Sequence, residues 1–515
     1  MYKTLLFLYV CFVSCPAAAQ GMECFEPAHL PESCTSIMVG KKASPDGSVI
    51  TSHTCDGNYR TWMNLVAAQE YERDTVTGIY TGLLHTEFTT DETKVILKGT
   101  IPQARSTYRY LNTAYPCLNE KQLGIGETTI TGRKELVNPK GMFMIEELQK
   151  IALQRCTTAR QAIRLMGELI LKYGYADWGE CLTVADPKEV WHFEVFGEGA
   201  SQTGGVWAAV RIPDDHVGVS ANIPRIATLN LKDTANCIAS ANVFDVAKKL
   251  GYWDGKEPFC FWKAYGGGKK AFNIREYFIL SSLAPSLNLS YEAEELPLTV
   301  KPEKPVAVTD VMALLRQTYE GTPWDMTKNL AGPSANPWMT TDMINMLNEI
   351  KDSVVVRYRL VAVPQCSYSH VIQLRDWLPD AIGGIAWMAF DNPGQSPRFP
   401  IFCGGTRLPA GFGICGQHRF REDATLWTYR RANKLATVRW GTTRNAINGA
   451  IAHFEEKGQT ELPFVESQYA KLLQSQGTEK ADEFLTDYTS DFVGATLLRW
   501  REMGDTFWSM FARGF

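Results

Sequence analysis

At 515 residues, 45% hydrophobic and 21% charged, the chain has ordinary globular composition and enough length to bury a large core. A formal net charge of −4 removes the electrostatic case for nucleic acid or an anionic membrane surface as partner. No long apolar run follows the N-terminus, so no membrane span is expected in the mature protein.

Residues 1–19 read as a secretory signal peptide. Lys3 supplies the positive start, residues 5–13 the apolar run and Ala17-Ala18-Ala19 the small-residue cleavage site, with cleavage expected before Gln20. Lipidation at Cys15 is the weaker rival, because Phe12 sits where a lipid-attachment motif has Leu. An exported, periplasmic or extracellular location implies an oxidising compartment. The 13 cysteines are nevertheless scattered, and no C-x-x-C spacing announces a zinc site. Residues 20–33 carry two Pro and three Glu without periodicity and read as a pro-segment.

The pattern sharpens at Cys34. Residues 34–40 form a strand rich in Thr, Ile and Val; Pro45-Asp46-Gly47 is a turn; residues 48–54 return as a second strand. This hairpin brings Asp56 back beside Cys34. Strand text continues at 77–90, 93–99 and 119–131. The period then changes to two amphipathic helices, 141–154 and 158–173, the second capped by Thr157 or Thr158. Strands return at 181–184 and 190–196 around Asp186-Pro187-Lys188, then at 206–211 and 216–220, ending at Ala221-Asn222. Helices follow at 243–250 and 274–283. An extended, Pro- and Glu-rich connection spans 287–306, with a helix at 309–318 beyond it. Strand text at 353–363 and 384–390 precedes a helical tail from 443, ending in an amphipathic stretch at 479–503. This order implies an α+β fold in which helices flank antiparallel sheets.

A lone cysteine is ordinarily buried and inert, or disulfide-bonded in an exported protein, and pairing of Cys34 with Cys24 or Cys55 is the specific alternative here. Three features favour a nucleophile instead: Cys34 follows a disposable segment, opens a strand and starts the clean patterning. A cysteine at a chain start needs no separate histidine, since its own α-amino group, with a reference pKa near 7.7–8.0, can act as base. Other chemistry is not announced. Gly124-Ile-Gly-Glu-Thr-Thr has Thr129 where a dinucleotide fingerprint needs glycine, Gly266-Gly-Gly-Lys-Lys lacks phosphate-loop spacing, and neither H-E-x-x-H nor G-x-S-x-G occurs. No cofactor and no metal are therefore expected.

Three blocks carry a family likeness: Cys34-Thr-Ser-Ile-Met-Val-Gly-Lys-Lys-Ala-Ser-Pro-Asp-Gly, then Gly179-Glu-Cys-Leu-Thr-Val-Ala-Asp-Pro-Lys, then residues 217–226. They resemble the N-terminal-nucleophile cysteine dipeptidases of the bacterial dipeptidase A and secernin type, which are similar to penicillin V acylases and bile-salt hydrolases. The resemblance implies a four-layer αββα sandwich (the N-terminal-nucleophile hydrolase fold) with a helical C-terminal region, and a catalytic domain spanning 34–515. It implies cleavage of the Ser33-Cys34 bond, with Cys34 as nucleophile and base. It further implies that Asp56 holds the nucleophile's amino and thiol groups, Asn222 donates to the oxyanion, Arg275 supports the acidic residue, and Thr128 or Thr129 makes a second oxyanion contact. His53 stands where relatives often carry arginine. Short peptides are the implied substrates and a homo-oligomer is left open. The rival functions are an N-acyl amide hydrolase and a non-catalytic binding protein.

Overall fold

The first hairpin forms for a local reason. Asp46 Oδ1 accepts from the Ser48 backbone N–H at 3.0 Å, and Gly47 takes the left-handed conformation the turn requires, φ +83°. The computed structural model describes residues 33–89, 91, 93–200, 203–268 and 270–513. The expected signal peptide, Cys15, Cys24 and all of the expected pro-segment except Ser33 lie outside the described residues.

The hairpin strands, Ser33–Val39 and Val49–Asp56, sit at the centre of a seven-stranded antiparallel sheet. On one side follow Val217–Ser220 and the short Thr299–Val300; on the other follow Cys366–Leu374, Ile385–Phe390 and Phe399–Phe402. A second sheet of eight strands is built around Gly124–Thr129, Glu180–Ala185, Val190–Gly197 and Gly205–Arg211. The two sheets face each other, and their contact near the first hairpin is made by small and hydroxylated residues. Thr51 Oγ1 lies 2.6 Å from Thr183 Oγ1, Thr128 Oγ1 lies 2.6 Å from Ser220 Oγ, and Ser36 donates to the Glu127 carbonyl at 3.2 Å. Buried hydroxyls are tolerated there because each has such a partner.

Helices cover the outer faces. Ile145–Arg155 and Ala159–Tyr173 lie on the second sheet; Thr158 caps the latter, and Gly167 lets the Trp207 ring approach its backbone. Ile274–Leu283 and Val308–Leu315 cover the first sheet. The C-terminal region is three helices, Thr425–Val438, Trp440–Gln476 and Thr478–Ser509, packed on the Phe399–Phe402 edge. The chain is thus α+β, with antiparallel sheets, flanking helices and a helical C-terminal region.

Several expected elements shift. The strand expected at 353–363 is irregular chain, and the strand begins instead at Cys366. Residues 353–363 are β-branched enough to pair, yet the place beside Val49–Asp56 is taken by Cys366–Leu374, which is buried throughout. The strand expected at 77–90 is confined to Val76–Thr81, and its partner runs over Ile96–Pro102. The helical tail begins at Thr425, earlier than expected. The 287–306 connection contributes Thr299–Val300 to the first sheet, so it stays within one architecture.

Gly126 sets the sheet separation beside the hairpin. A Cβ there would lie 2.2 Å from the Ser52 carbonyl oxygen and 2.5 Å from Thr183 Oγ1. Gly126→Ala is therefore expected to destabilise the protein by about 1–3 kcal/mol, the usual scale of overpacking. A thermal midpoint unchanged from wild type would show that the sheets can part there without cost.

Candidate active site

Cys34 is the second residue of a central strand and is completely buried. Its backbone N–H donates to Asn222 Oδ1 at 2.9 Å, and its thiol lies 3.5 Å from Glu127 Oε2. Burial, reinforced by Glu127, Cys55 and Asp56, pushes the thiol well above its ordinary value, while the Asp56 backbone N–H acts the other way. Ser33 continues the same strand, so the Cys34 nitrogen is an amide and carries no basic lone pair. Cys34 and Cys55 face each other across the strand pair, and Cys34 carries a free thiol, so the Cys34–Cys55 disulfide considered from sequence is not formed.

Asn222 follows the Val217–Ser220 strand and adopts φ +67°, a conformation asparagine tolerates better than most residues. That turn aims its amide at Cys34: Oδ1 accepts from Cys34 N–H and from Arg275 Nη2, and Nδ2 donates to the Thr129 carbonyl at 2.7 Å. Arg275 is placed by a capping box. Asn273 Oδ1 accepts from the Arg275 backbone N–H, and Glu276 bonds back to the Asn273 N–H, which starts the helix there. The Arg275 guanidinium then donates to the Cys34 carbonyl at 2.6 Å, to Thr35 Oγ1 at 3.1 Å and to the Ala221 carbonyl at 2.9 Å. Burial, with Arg359 second, lowers Arg275 to about 10, so it stays charged at neutral pH.

The support of Asp56 that the resemblance assigned to Arg275 comes from elsewhere. Asp56 Oδ2 accepts from Arg359 Nη2 at 2.7 Å and from Thr54 Oγ1 at 3.0 Å, and Arg359 also holds the Ser33 hydroxyl. Thr54 Oγ1 in turn accepts the Thr35 N–H, which ties the carboxylate to the strand that carries Cys34. Thr128 and Thr129 part company. The Thr128 hydroxyl is committed to Ser220 between the sheets, whereas Thr129 offers its carbonyl to Asn222 and its hydroxyl to Glu127 Oε1 at 3.2 Å.

With this geometry in view, the chain matches peptidase family C69 over residues 33–453. It belongs to that family. It is a peptidase, as the sequence resemblance implied. A "Probable dipeptidase" of Latilactobacillus sakei is 26% identical over 72% of this chain and 74% of the relative. A "Probable dipeptidase" of Salmonella dublin is 26% identical over 72% and 81%, and "Dipeptidase A" of Lactobacillus helveticus 21% over 88% and 91%.

This C69 chain also assembles residues that sequence reading missed. Arg359 sat in text read as a strand. Glu127 lay in text read as a strand and Glu180 just before one, yet both are buried, and burial plus the neighbouring Glu127 raises the Glu180 carboxyl well above the usual carboxylate range. His53 Nε2 lies 3.5 Å from Glu127 Oε2, and the ring is enclosed by Tyr115, Tyr368 and His370. Cys34, His53 and Glu127 each offer a ligand atom within 4.8 Å of the others, and this thiol, imidazole and carboxylate set has donors that zinc accepts. A zinc ion there would engage the Cys34 sulfur itself. The usual signal for such a set is close spacing in sequence; here the three residues come from three different strands.

His53 carries a pH consequence. Burial pushes its folded-state pKa down to about 3 from 6.5. Between those values the unfolded chain binds a proton that the folded chain refuses, so stability should fall as pH drops from 6.5 toward 3. His370 is lowered by burial too and adds the same sign. Thermal midpoints measured between pH 7 and pH 4 should decline less steeply in His53→Gln than in wild type. Parallel slopes would remove His53 as a source of acid sensitivity.

Proposed function

We propose that this protein is an exported cysteine dipeptidase whose mature chain begins at Cys34. In this reading residues 1–19 direct export, residues 20–33 are removed, and residues 34–515 form an N-terminal-nucleophile hydrolase. The observation that carries it is the handling of Cys34. Its nitrogen is fixed by Asn222 and its carbonyl by Arg275, and its thiol lies 3.5 Å from Glu127 Oε2, all at the point where the C69 match begins. Buried backbone groups of a strand are ordinarily paired by a neighbouring strand; at Cys34 two polar side chains, Asn222 and Arg275, bond the nitrogen and the carbonyl. The names of the relatives favour a dipeptide substrate.

The chemistry then runs as follows. Attack of the Cys34 thiol on the Ser33 carbonyl, followed by hydrolysis of the resulting thioester, breaks the Ser33-Cys34 bond and frees an α-amino group. That amine takes the thiol proton, and the sulfur adds to the scissile carbonyl of a substrate. Asn222 Nδ2 has a second N–H, beyond the one given to Thr129, to donate to the oxyanion. The ammonium returns the proton to the leaving amine. Water then adds to the thioester, with the amine again as base, and releases the acid. Asp56, held by Arg359, supplies the negative charge that favours the ammonium form during these transfers.

Intact-mass measurement should find wild type starting at Cys34 and Cys34→Ala retaining Ser33; equal trimming of both would end the self-processing proposal. N-terminal sequencing that finds the Ser33-Cys34 bond intact in purified protein would favour the non-catalytic reading. Asn222→Ala, once processed, should lose roughly 10²–10³ in kcat, the scale for one oxyanion donor. A dipeptide panel run beside penicillin V and conjugated bile acids separates the dipeptidase from the N-acyl amide hydrolase. Activity should rise with pH as the α-amino group deprotonates, from a reference value near 7.7–8.0 that Asp56 shifts upward. It should vanish on alkylation of Cys34 and survive chelators, because the nucleophile carries its own base. Loss on chelation, with recovery on adding zinc, would move the chemistry to the Cys34, His53 and Glu127 set.

A further inference from the structure

A cavity of about 530 Å³ opens directly from Asn222. Its walls come from the loop after Gly124–Thr129, from Ile223 and Pro224, and from the Gly266–Gly268 turn, with Trp262 at its base. The cavity is built rather than incidental. A Cβ on Gly266 would lie 2.8 Å from Pro224, and one on Gly267, at φ +70°, would lie 3.0 Å from the Arg133 side chain. Trp262 is buried and anchored through its indole N–H to Glu295 at 3.1 Å.

Three cations line this cavity, Arg133, Lys134 and Lys270, against one carboxylate, Glu135. Two of the cations are held in place. Arg133 donates through Nε to the Ala264 carbonyl at 2.6 Å and through Nη2 to the Lys263 carbonyl at 3.0 Å, and it stacks over Tyr252 at 4.2 Å. Lys270 donates to the Tyr291 carbonyl at 2.6 Å and lies 4.8 Å from that ring's centroid. Lys134 is exposed at the rim. A small cleft lined by one sign of charge selects ligands of the other sign.

We propose that this cavity is the leaving-group subsite and that it reads the free C-terminal carboxylate of the substrate. The proposal rests on the dipeptidase reading and deepens it. A dipeptide carries its one backbone anion on the leaving side and a cation on the acyl side. A cationic cavity next to Asn222 therefore accepts the carboxylate end and repels the ammonium end. One residue spans about 3.3–3.6 Å, so the carboxylate of a second residue falls just beyond the scissile bond, where the cavity begins. A longer peptide would bring a neutral amide to the same place. The cavity would thus confine the enzyme to short substrates by charge as well as by size.

The test uses processed full-length enzyme and three substrates of one sequence: a dipeptide free acid, its C-terminal amide, and the tripeptide that extends it. Wild type should favour the free acid over the amide by roughly tenfold or more in kcat/KM, the factor expected from losing one charge-assisted contact. In Lys134→Ala/Lys270→Ala that preference should collapse toward unity, and Lys134→Glu should reduce it as well. Thermal midpoint and intact mass identify variants that fold and process. The wild-type acid-to-amide ratio needs no variant. Equal cleavage of acid and amide by wild type overturns the subsite and leaves the dipeptidase reading standing. An acid preference that survives in the double variant and again when Arg133→Gln is added to it also overturns it, since the carboxylate is then read elsewhere. Cleavage of none of the three, with turnover of N-acyl amides, overturns the dipeptidase reading itself.

Discussion

The site depends on a single buried guanidinium. Arg275 bonds the carbonyl of Cys34, the hydroxyl of Thr35, the carbonyl of Ala221 and the side chain of Asn222. It therefore joins the strand of Cys34 to the turn that presents Asn222, two residues 188 positions apart in sequence. A charged group this deep is tolerable because its neighbours satisfy it at short range. The local capping box at Asn273 explains why the arginine is there at all: the helix can start nowhere else without losing its cap.

A second arginine organises the other side of the same strand. Arg359 fixes the Asp56 carboxylate and the Ser33 hydroxyl, so it holds the acyl side of the bond proposed to be cut and the carboxylate that faces it across the strand pair. The two guanidiniums divide the work. Arg275 orients the backbone around Cys34, and Arg359 keeps a negative charge beside the position of the proposed amino group. The thiol meanwhile sits among Glu127, Cys55 and Asp56, where burial keeps it protonated. An unprocessed chain therefore holds a correctly placed sulfur without an activated one. Such an arrangement suits an enzyme made as an inert precursor.

The interface between the sheets makes this packing possible. Small and hydroxylated residues, Ser36, Thr51, Gly126, Thr128, Thr183 and Ser220, replace the large aliphatics of an ordinary sandwich core beneath the hairpin. They let Glu127 reach Cys34 and His53 from the opposite sheet. The large side chains lie to either side, with Trp207 against Gly167 on the helical face of the second sheet and Trp387 against Gly458 in the C-terminal helices. The same economy of side-chain volume recurs at the Gly266–Gly268 turn, where the cavity beside Asn222 is opened.

What the sequence determined by itself was local. The Pro45-Asp46-Gly47 turn, a threonine cap at 157 or 158, the Asp186-Pro187-Lys188 turn and the Thr-, Ile- and Val-rich first hairpin strand are short-range effects, and each holds in the structure, with Thr158 as the cap. The order of strands and helices sufficed for an α+β class, and the block starting at Cys34 sufficed for the family. Residues 353–363 show the limit: their β-branched composition suits a strand, but Cys366–Leu374 takes the available sheet position, a competition between segments that propensity cannot judge. Arg359, Glu127 and Glu180 escaped for the same reason. A charged residue acquires meaning only when folding removes its water and chooses its neighbours, and those neighbours lie up to 326 residues away, as Ser33 lies from Arg359. Tertiary structure alone decided which arginine serves Asp56, that Thr128 turns toward Ser220, and that His53 is neutral among aromatic rings.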